Sequence, residues 1–351
     1  MSTEKPAALV TGDVPEYRFA PFRALARREG VEVLAFGQVA QGADFPLRQV
    51  EERRIARLVG EYRALVCGIG GRLALPGVRA GARRARIPFV LWTSLWAHPR
   101  TLTHAFSWLP TRHLYRAADA VVTYGPHVTR YVERFRQRGN VFEAPQAADP
   151  AVFGRAVPEA EVAAARERAR ARSDQALVLF VGRLVREKGV GVLAEAWGRA
   201  ELGDAAVLAA AGPGSLRLPG TNLGLLSPPE LPAMYAAADL LVLPSIRTRT
   251  FTEPWGLVTN EAMHQATPVL ASDAVGAVAG GLVRDGRNGM VVPAGDVDAL
   301  AARIRMLVGN PELRARMCEA AREDVAAYTP DAWAEGVSSA LAAAGAGRLL
   351  R

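Results

Sequence analysis

Four side chains in the second half of the chain, Arg183, Lys188, Glu253 and Glu261, are of the types that hold an anion and a set of hydroxyls. In Glu253-Pro-Trp-Gly-Leu-Val-Thr-Asn-Glu261 the proline suits the first position of a helix, where its missing N–H is no loss. The sequence therefore predicts a helix opening at Pro254, with Glu253 just outside it and Glu261 two turns within. Such a spacing advances a helix by about two turns and about 80° of net rotation, so both carboxylates can flank one elongated ligand. The amides of Trp255, Gly256 and Leu257 would then point out of the positive end of the helix dipole, which attracts phosphate, and Gly256 lets a ligand approach closely. Glu253 at the mouth can accept hydrogen bonds from sugar hydroxyls and Glu261 from a ribose, which suits a sugar nucleotide. For two glutamates taken alone, a solvated helix face is the commoner reading.

Apolar strand-like runs alternate with helical patterns, as in parallel sheets wrapped by helices. The first half offers strands at 7–11, 31–36, 64–67, 89–92, 120–123 and 141–143, with a helix at 21–29 that Gly30 terminates. A second series starts at Leu177 and continues through 206–210, 240–243, 269–271 and 289–292. Two Rossmann-like α/β domains are expected, joined within 144–153, where two prolines interrupt any periodicity. A charged helix is expected at 159–172 and a last one at 330–344, with a frayed tail after Leu341. Ligands bind at the carboxyl ends of parallel strands. Arg183 and Lys188 follow the strand that begins at Leu177, in a loop framed by Gly182 and Gly189, where they could clamp a diphosphate and neutralise charge building on it.

The segment from Glu253 to Glu261 resembles the E-x7-E motif of family 4 glycosyltransferases, retaining enzymes of the GT-B fold. The likeness runs through residues 177–330. It includes Phe180-Val-Gly-Arg-Leu-Val-Arg-Glu-Lys-Gly189, similar to the family's G-R-x-x-x-x-K-G loop, and Ala211-Gly-Pro-Gly214. It continues with Tyr235-Ala-Ala-Ala-Asp239, the run from Leu240 to Ser272, and Asp285-Gly-Arg-Asn-Gly289. The resemblance implies a GT-B fold with both sheets facing a central cleft: an acceptor-side domain at 1–150, a nucleotide-sugar domain at 151–330, and residues 331–351 crossing back to the first domain. It implies transfer of a hexose from a nucleotide-diphosphate sugar to an acceptor hydroxyl with retention, the leaving diphosphate receiving the acceptor proton. Arg183, Lys188 and Glu253 would carry the chemistry, with His98 as the first-domain candidate. Gly12, Gly182, Leu226, Trp255, Gly256, Leu257 and Glu261 would complete the donor site, with Leu226 beside the base or, equally, in the core. The first domain departs from the pattern: Gly12 stands alone where a Gly-Gly loop is usual, and the histidine that follows the fourth strand is replaced by Ser94 or displaced to His98.

No D-x-D motif adjoins a strand, so the expected transfer is metal-independent and needs no cofactor beyond the donor substrate. The 351 residues exceed what one core usually serves. Cys67 and Cys318 have neither disulfide nor metal spacing, which with the absence of a leader-like segment points to a reducing cytoplasm. The net charge of +8 favours anionic partners. No nucleic-acid signature accompanies it, which leaves a solvated surface, with peripheral association on the cytoplasmic face of a membrane as the second reading. The acceptor is open: a glycan, a lipid-linked sugar or a small molecule. Alternatives are a GT-B epimerase of sugar nucleotides and a non-enzymatic sugar-nucleotide-binding protein.

Overall fold

The computed structural model describes residues 5–71 and 73–347. They form two units, one comprising the described residues in 5–147 with 329–347, the other Ala148–Tyr328. The first holds a seven-stranded sheet of β1 (Ala7–Thr11), β2 (Val31–Ala35), β3 (Leu47–Gln49), β4 (Leu65–Gly68), β5 (Phe89–Thr93), β6 (Ala120–Thr123) and β7 (Val141–Glu143), in the order β3-β2-β1-β4-β5-β6-β7. The second holds β8 (Ala176–Val181), β9 (Ala206–Ala211), β10 (Thr221–Gly224), β11 (Leu240–Leu243), β12 (Val269–Ser272) and β13 (Gly289–Val292), in the order β10-β9-β8-β11-β12-β13. Every pairing in both sheets is parallel.

Central strands covered on both faces read as unbroken apolar runs, and β8, Ala-Leu-Val-Leu-Phe-Val, is buried at every residue. Two strands were not foreseen from the sequence, β3 and β10, and both lie at sheet edges. There a polar run such as Leu-Arg-Gln or Thr-Asn-Leu-Gly can pair on one side and meet water on the other.

The helix Phe19–Glu29 ends where Gly30 turns left-handed at φ 60° and donates its N–H to Ala26 O. Thr329 caps the helix Pro330–Ala343 by accepting from Ala332 N, and this helix packs on Phe19–Glu29 and on β7. Its Trp333 is fully buried among Phe22 and Trp92. Gly336 lets it lie against β7, since a Cβ there would stand 2.1 Å from Glu143 O. The tail after Leu341, expected to fray, is ordered as far as residue 347, because the segment packs into the first unit's core: the helix continues to Ala343, Ala346 N donates to Leu341 O at 2.8 Å and Ala346 is buried. The residues beyond 347 lie outside the described ones. On the other face of the sheet, the helices Ala74–Ala85 and Leu102–Ala117 share one core cluster through Leu75, Val78, Ala82 and Tyr115. No helix of the described residues is long and apolar enough to cross a membrane.

Candidate functional site

In the second sheet the chain leaves β8 toward β9 on one side, while β11 continues toward β12 on the other. The loops after β8 and β11 diverge at this switch point and open a crevice at the carboxyl ends of the strands. Gly182 follows β8 at φ 152° and donates to Ala211 O, while Leu184 N donates to Pro213 O at 2.7 Å. Gly212 and Gly214 allow this contact, because a Cβ on either would sit 2.1 or 2.4 Å from the carbonyl of Gly182 or Leu184. A short turn then leads to Gly189, at φ 73°, and into the helix Val190–Ala200. A Cβ at Gly189 would lie 1.9 Å from Pro244 O, so only glycine lets the β8 loop reach the end of β11. Ile246 N closes the join by donating to Glu187 O at 3.0 Å.

That join sets Lys188 on Glu253. Their ion pair is largely withdrawn from water, with side chains 15% and 7% exposed, and Ser245 Oγ donates to the same Oε2 at 3.1 Å. The ammonium also lies 5.7 Å from the centroid of the Phe251 ring. Arg183 differs: its side chain is 55% exposed and pairs with Glu187 at 3.2 Å, where water screens the interaction. The two cations expected as a matched clamp are therefore one committed partner of Glu253 and one solvent-facing guanidinium.

The expected helix from Pro254 is not formed. Glu253 bridges Val275, Trp255 O accepts from Ala277 N at 2.7 Å, and Gly256 takes φ 89°, so the helix begins only at Val258 and runs to His264. Contacts with the turn after β12 outweigh the helix-starting preference of Pro254. Glu253 and Glu261 thus do not share one helix axis, and Glu261 sits one turn into the helix, not two. Trp255 is buried, donates Nε1 to Asn260 Oδ1 at 2.7 Å and packs against Tyr328. Among the described residues, the amides of Gly256 and Leu257 donate to no acceptor.

Glu261 is buried and accepts a 2.7 Å hydrogen bond from Tyr235 OH. Burial pushes its carboxyl up to about 7 even though the Tyr235 bond pulls the other way. Burial and the facing carboxylate likewise raise Tyr235 well above the usual phenol. Tyr235 comes from the helix Leu231–Ala237, whose end is held by Thr267 Oγ1 donating to Tyr235 O. Tyr235 and Ser245 were not among the sequence candidates, since each is chosen by a partner distant in the chain. The only signal was their place within the Tyr-Ala-Ala-Ala-Asp and Pro-Ser runs.

The remaining candidates lie elsewhere. Leu226 is buried and lines a depression with Ala165, Arg168, Glu230 and Met234, between the helices Glu159–Arg168 and Leu231–Ala237. Gly12 follows β1 in the first unit, and a Cβ there would meet only the Phe36 ring, at 3.6 Å, so its backbone does not demand glycine. Ser94 directly follows β5 and is half-buried. His98 Nε2 donates to His104 O at 2.8 Å, and its buried Nδ1 has no partner among the described residues. No group of three or more His, Cys, Asp or Glu among the described residues is disposed to hold a metal ion.

Residues 162–324 match the model of the family described as glycosyl transferases group 1. The chain is 31% identical over 301 residues to a GDP-mannose-dependent alpha-(1-6)-phosphatidylinositol monomannoside mannosyltransferase of Mycolicibacterium smegmatis, covering 77% of this chain and 74% of that one. It is 35% identical over 162 residues to an alpha-D-kanosaminyltransferase of Streptomyces kanamyceticus, 42% of this chain and 40% of the other. Several matches are thus partial: this relative and a D-inositol 3-phosphate glycosyltransferase of Streptomyces coelicolor are spanned over only 40% and 53% of their length. Among solved structures, Anabaena HepE in complex with UDP and glucose superposes with a TM-score of 0.76 at 17% identity, over 97% of this chain and all of that one. The two parallel α/β units and this likeness identify the fold as GT-B. With the family model over the second unit and the mannosyltransferase likeness across most of the chain, the protein belongs to the glycosyl transferases group 1 family.

Proposed function

We propose that the chain is a retaining glycosyltransferase that moves a hexose from a nucleotide-diphosphate sugar to an acceptor hydroxyl. The observation that carries this reading is the Lys188–Glu253 pair at the switch point of the second sheet, with Arg183 on the same loop. A donor's diphosphate would take Lys188 as its counter-ion and engage the exposed Arg183. Glu253, released from the ammonium, would accept from the sugar hydroxyls, and the amides of Gly256 and Leu257 would face the phosphates. Glu261, with Tyr235 on one oxygen, would hold the ribose. In the transfer, the bond from the anomeric carbon to the diphosphate oxygen breaks and the bond to the acceptor oxygen forms on the same face. The acceptor proton passes to the departing diphosphate, so no enzymic nucleophile is required, and catalysis is electrostatic and positional.

The mannosyltransferase relative is named for GDP-mannose and the HepE structure holds UDP. A thermal-shift screen should therefore set GDP against UDP and their hexose conjugates. A donor-dependent rise in melting temperature, with slow release of hexose of unchanged anomeric configuration, supports the reading. Inverted product, or an epimerised donor with no free hexose, refutes it. Turnover in excess chelator tests metal independence in the same assay.

A further inference from the structure

From Tyr62 to Ala118 the chain contains nine arginines and neither aspartate nor glutamate. The two neighbouring helices of the first unit, Ala74–Ala85 and Leu102–Ala117, come from this stretch. Among its described side chains the second is seated through its later turns, where Thr111 and Tyr115 are buried, while no residue of 104–110 is buried. Phe106 is 84% exposed, Leu109 66% and Trp108 38%, and Leu73, just before the neighbouring helix, is 59% exposed. Nothing in the function above uses these side chains. Phe106, Leu109, His113 and Arg116 follow one another at helical spacing, so a single stripe is apolar at one end and basic at the other. Arg112 lies 4.3 Å from the Trp108 ring, which holds its charge beside the apolar end. Arg116 and Arg138 border a depression beside Phe135.

Large apolar side chains presented with arginines on one helix suit the boundary between headgroups and acyl chains of an anionic bilayer. We propose that this face docks on an anionic lipid surface. Phe106, Trp108 and Leu109 enter the acyl boundary, while Arg100, Arg112 and Arg116 reach the phosphates. Charge complementarity selects this occupant. A second copy meeting through the same face would set arginines against arginines, and a nucleic acid would leave the apolar end unused. Docking of this kind does not depend on the transferase reading and holds whether or not a donor is turned over.

The test is flotation of the full chain with phosphatidylcholine vesicles prepared with and without phosphatidylglycerol, at low and high salt. The wild type should float with the anionic vesicles only, less so in high salt. Phe106→Ser/Leu109→Ser, at two exposed positions, should weaken partition by about tenfold or more with an unchanged melting temperature, and Arg100→Glu should weaken it further. Equal partition of wild type and double variant, or no partition of the wild type, would overturn the proposal. So would binding to heparin without binding to vesicles, or a wild-type dimer that the double variant abolishes.

Discussion

Glu261 holds its carboxyl where water hardly reaches, and this makes the free protein's stability depend on pH. Its folded-state value of about 7 lies above the ordinary 4.5, so the folded chain keeps a proton that the unfolded chain releases. The resulting stabilisation is complete below 4.5 and is lost as pH rises through 7, beyond which ionisation costs roughly 3 kcal/mol. Glu261→Gln, which retains an acceptor for Tyr235, should therefore match the wild type in urea at about pH 4 and exceed it by roughly 2–3 kcal/mol at about pH 8. The same variant should show a smaller nucleotide-dependent thermal shift. An unchanged pH dependence would contradict the assignment. Lys188→Met should lose turnover and about 3 kcal/mol of stability, because Glu253 keeps a buried charge without its ammonium; adding Glu253→Gln should restore most of the stability and none of the turnover. At this scale, residue type and spacing made Arg183, Lys188, Glu253 and Glu261 legible. The pairing of Lys188 with Glu253 was not, because it depends on β8 and β11 being neighbours, and the raised Glu261 value depends on burial that no local pattern encodes.

Between Glu253 and Glu261 the loop wins over the helix, and Gly256 is the hinge of that outcome. Its φ of 89° is strained for any side chain, and an added Cβ would lie 2.8 Å from Leu243 Cδ2. Gly256→Ala should cost about 2 kcal/mol or more in chemical unfolding. Gly12→Ala, which meets only the edge of the Phe36 ring, should stay within about 0.5 kcal/mol; if it lowers donor-dependent stabilisation, Gly12 lies against the ligand. Buried central strands were read almost residue by residue, β1, β6 and β11 to their observed ends, because burial on both faces enforces apolar runs; the edge strands β7 and β13 were also read to their ends. The edges β3 and β10 escaped because a polar edge resembles a loop in composition. The late start of the helix at Val258 escaped because its cause, Ala277 N reaching Trp255 O, comes from the segment after β12, distant in the chain.

At the scale of the whole chain, the first unit is assembled from two distant pieces, and the helix Pro330–Ala343 is part of its core. Trp333→Ala should cost about 3–5 kcal/mol, with hydrogen exchange rising in Phe19–Glu29 and β7 while β8 and β11 keep their protection. A nascent chain leaving the ribosome has all seven strands of that sheet long before it has this tryptophan, since all of Ala148–Tyr328 intervenes. At about 5–20 residues per second the wait is roughly 10–35 s. During it the second Rossmann-like unit can finish folding, while Phe22 and Trp92 remain uncovered to chaperones. The order of synthesis thus reverses the order of completion: the unit begun first is the last to close.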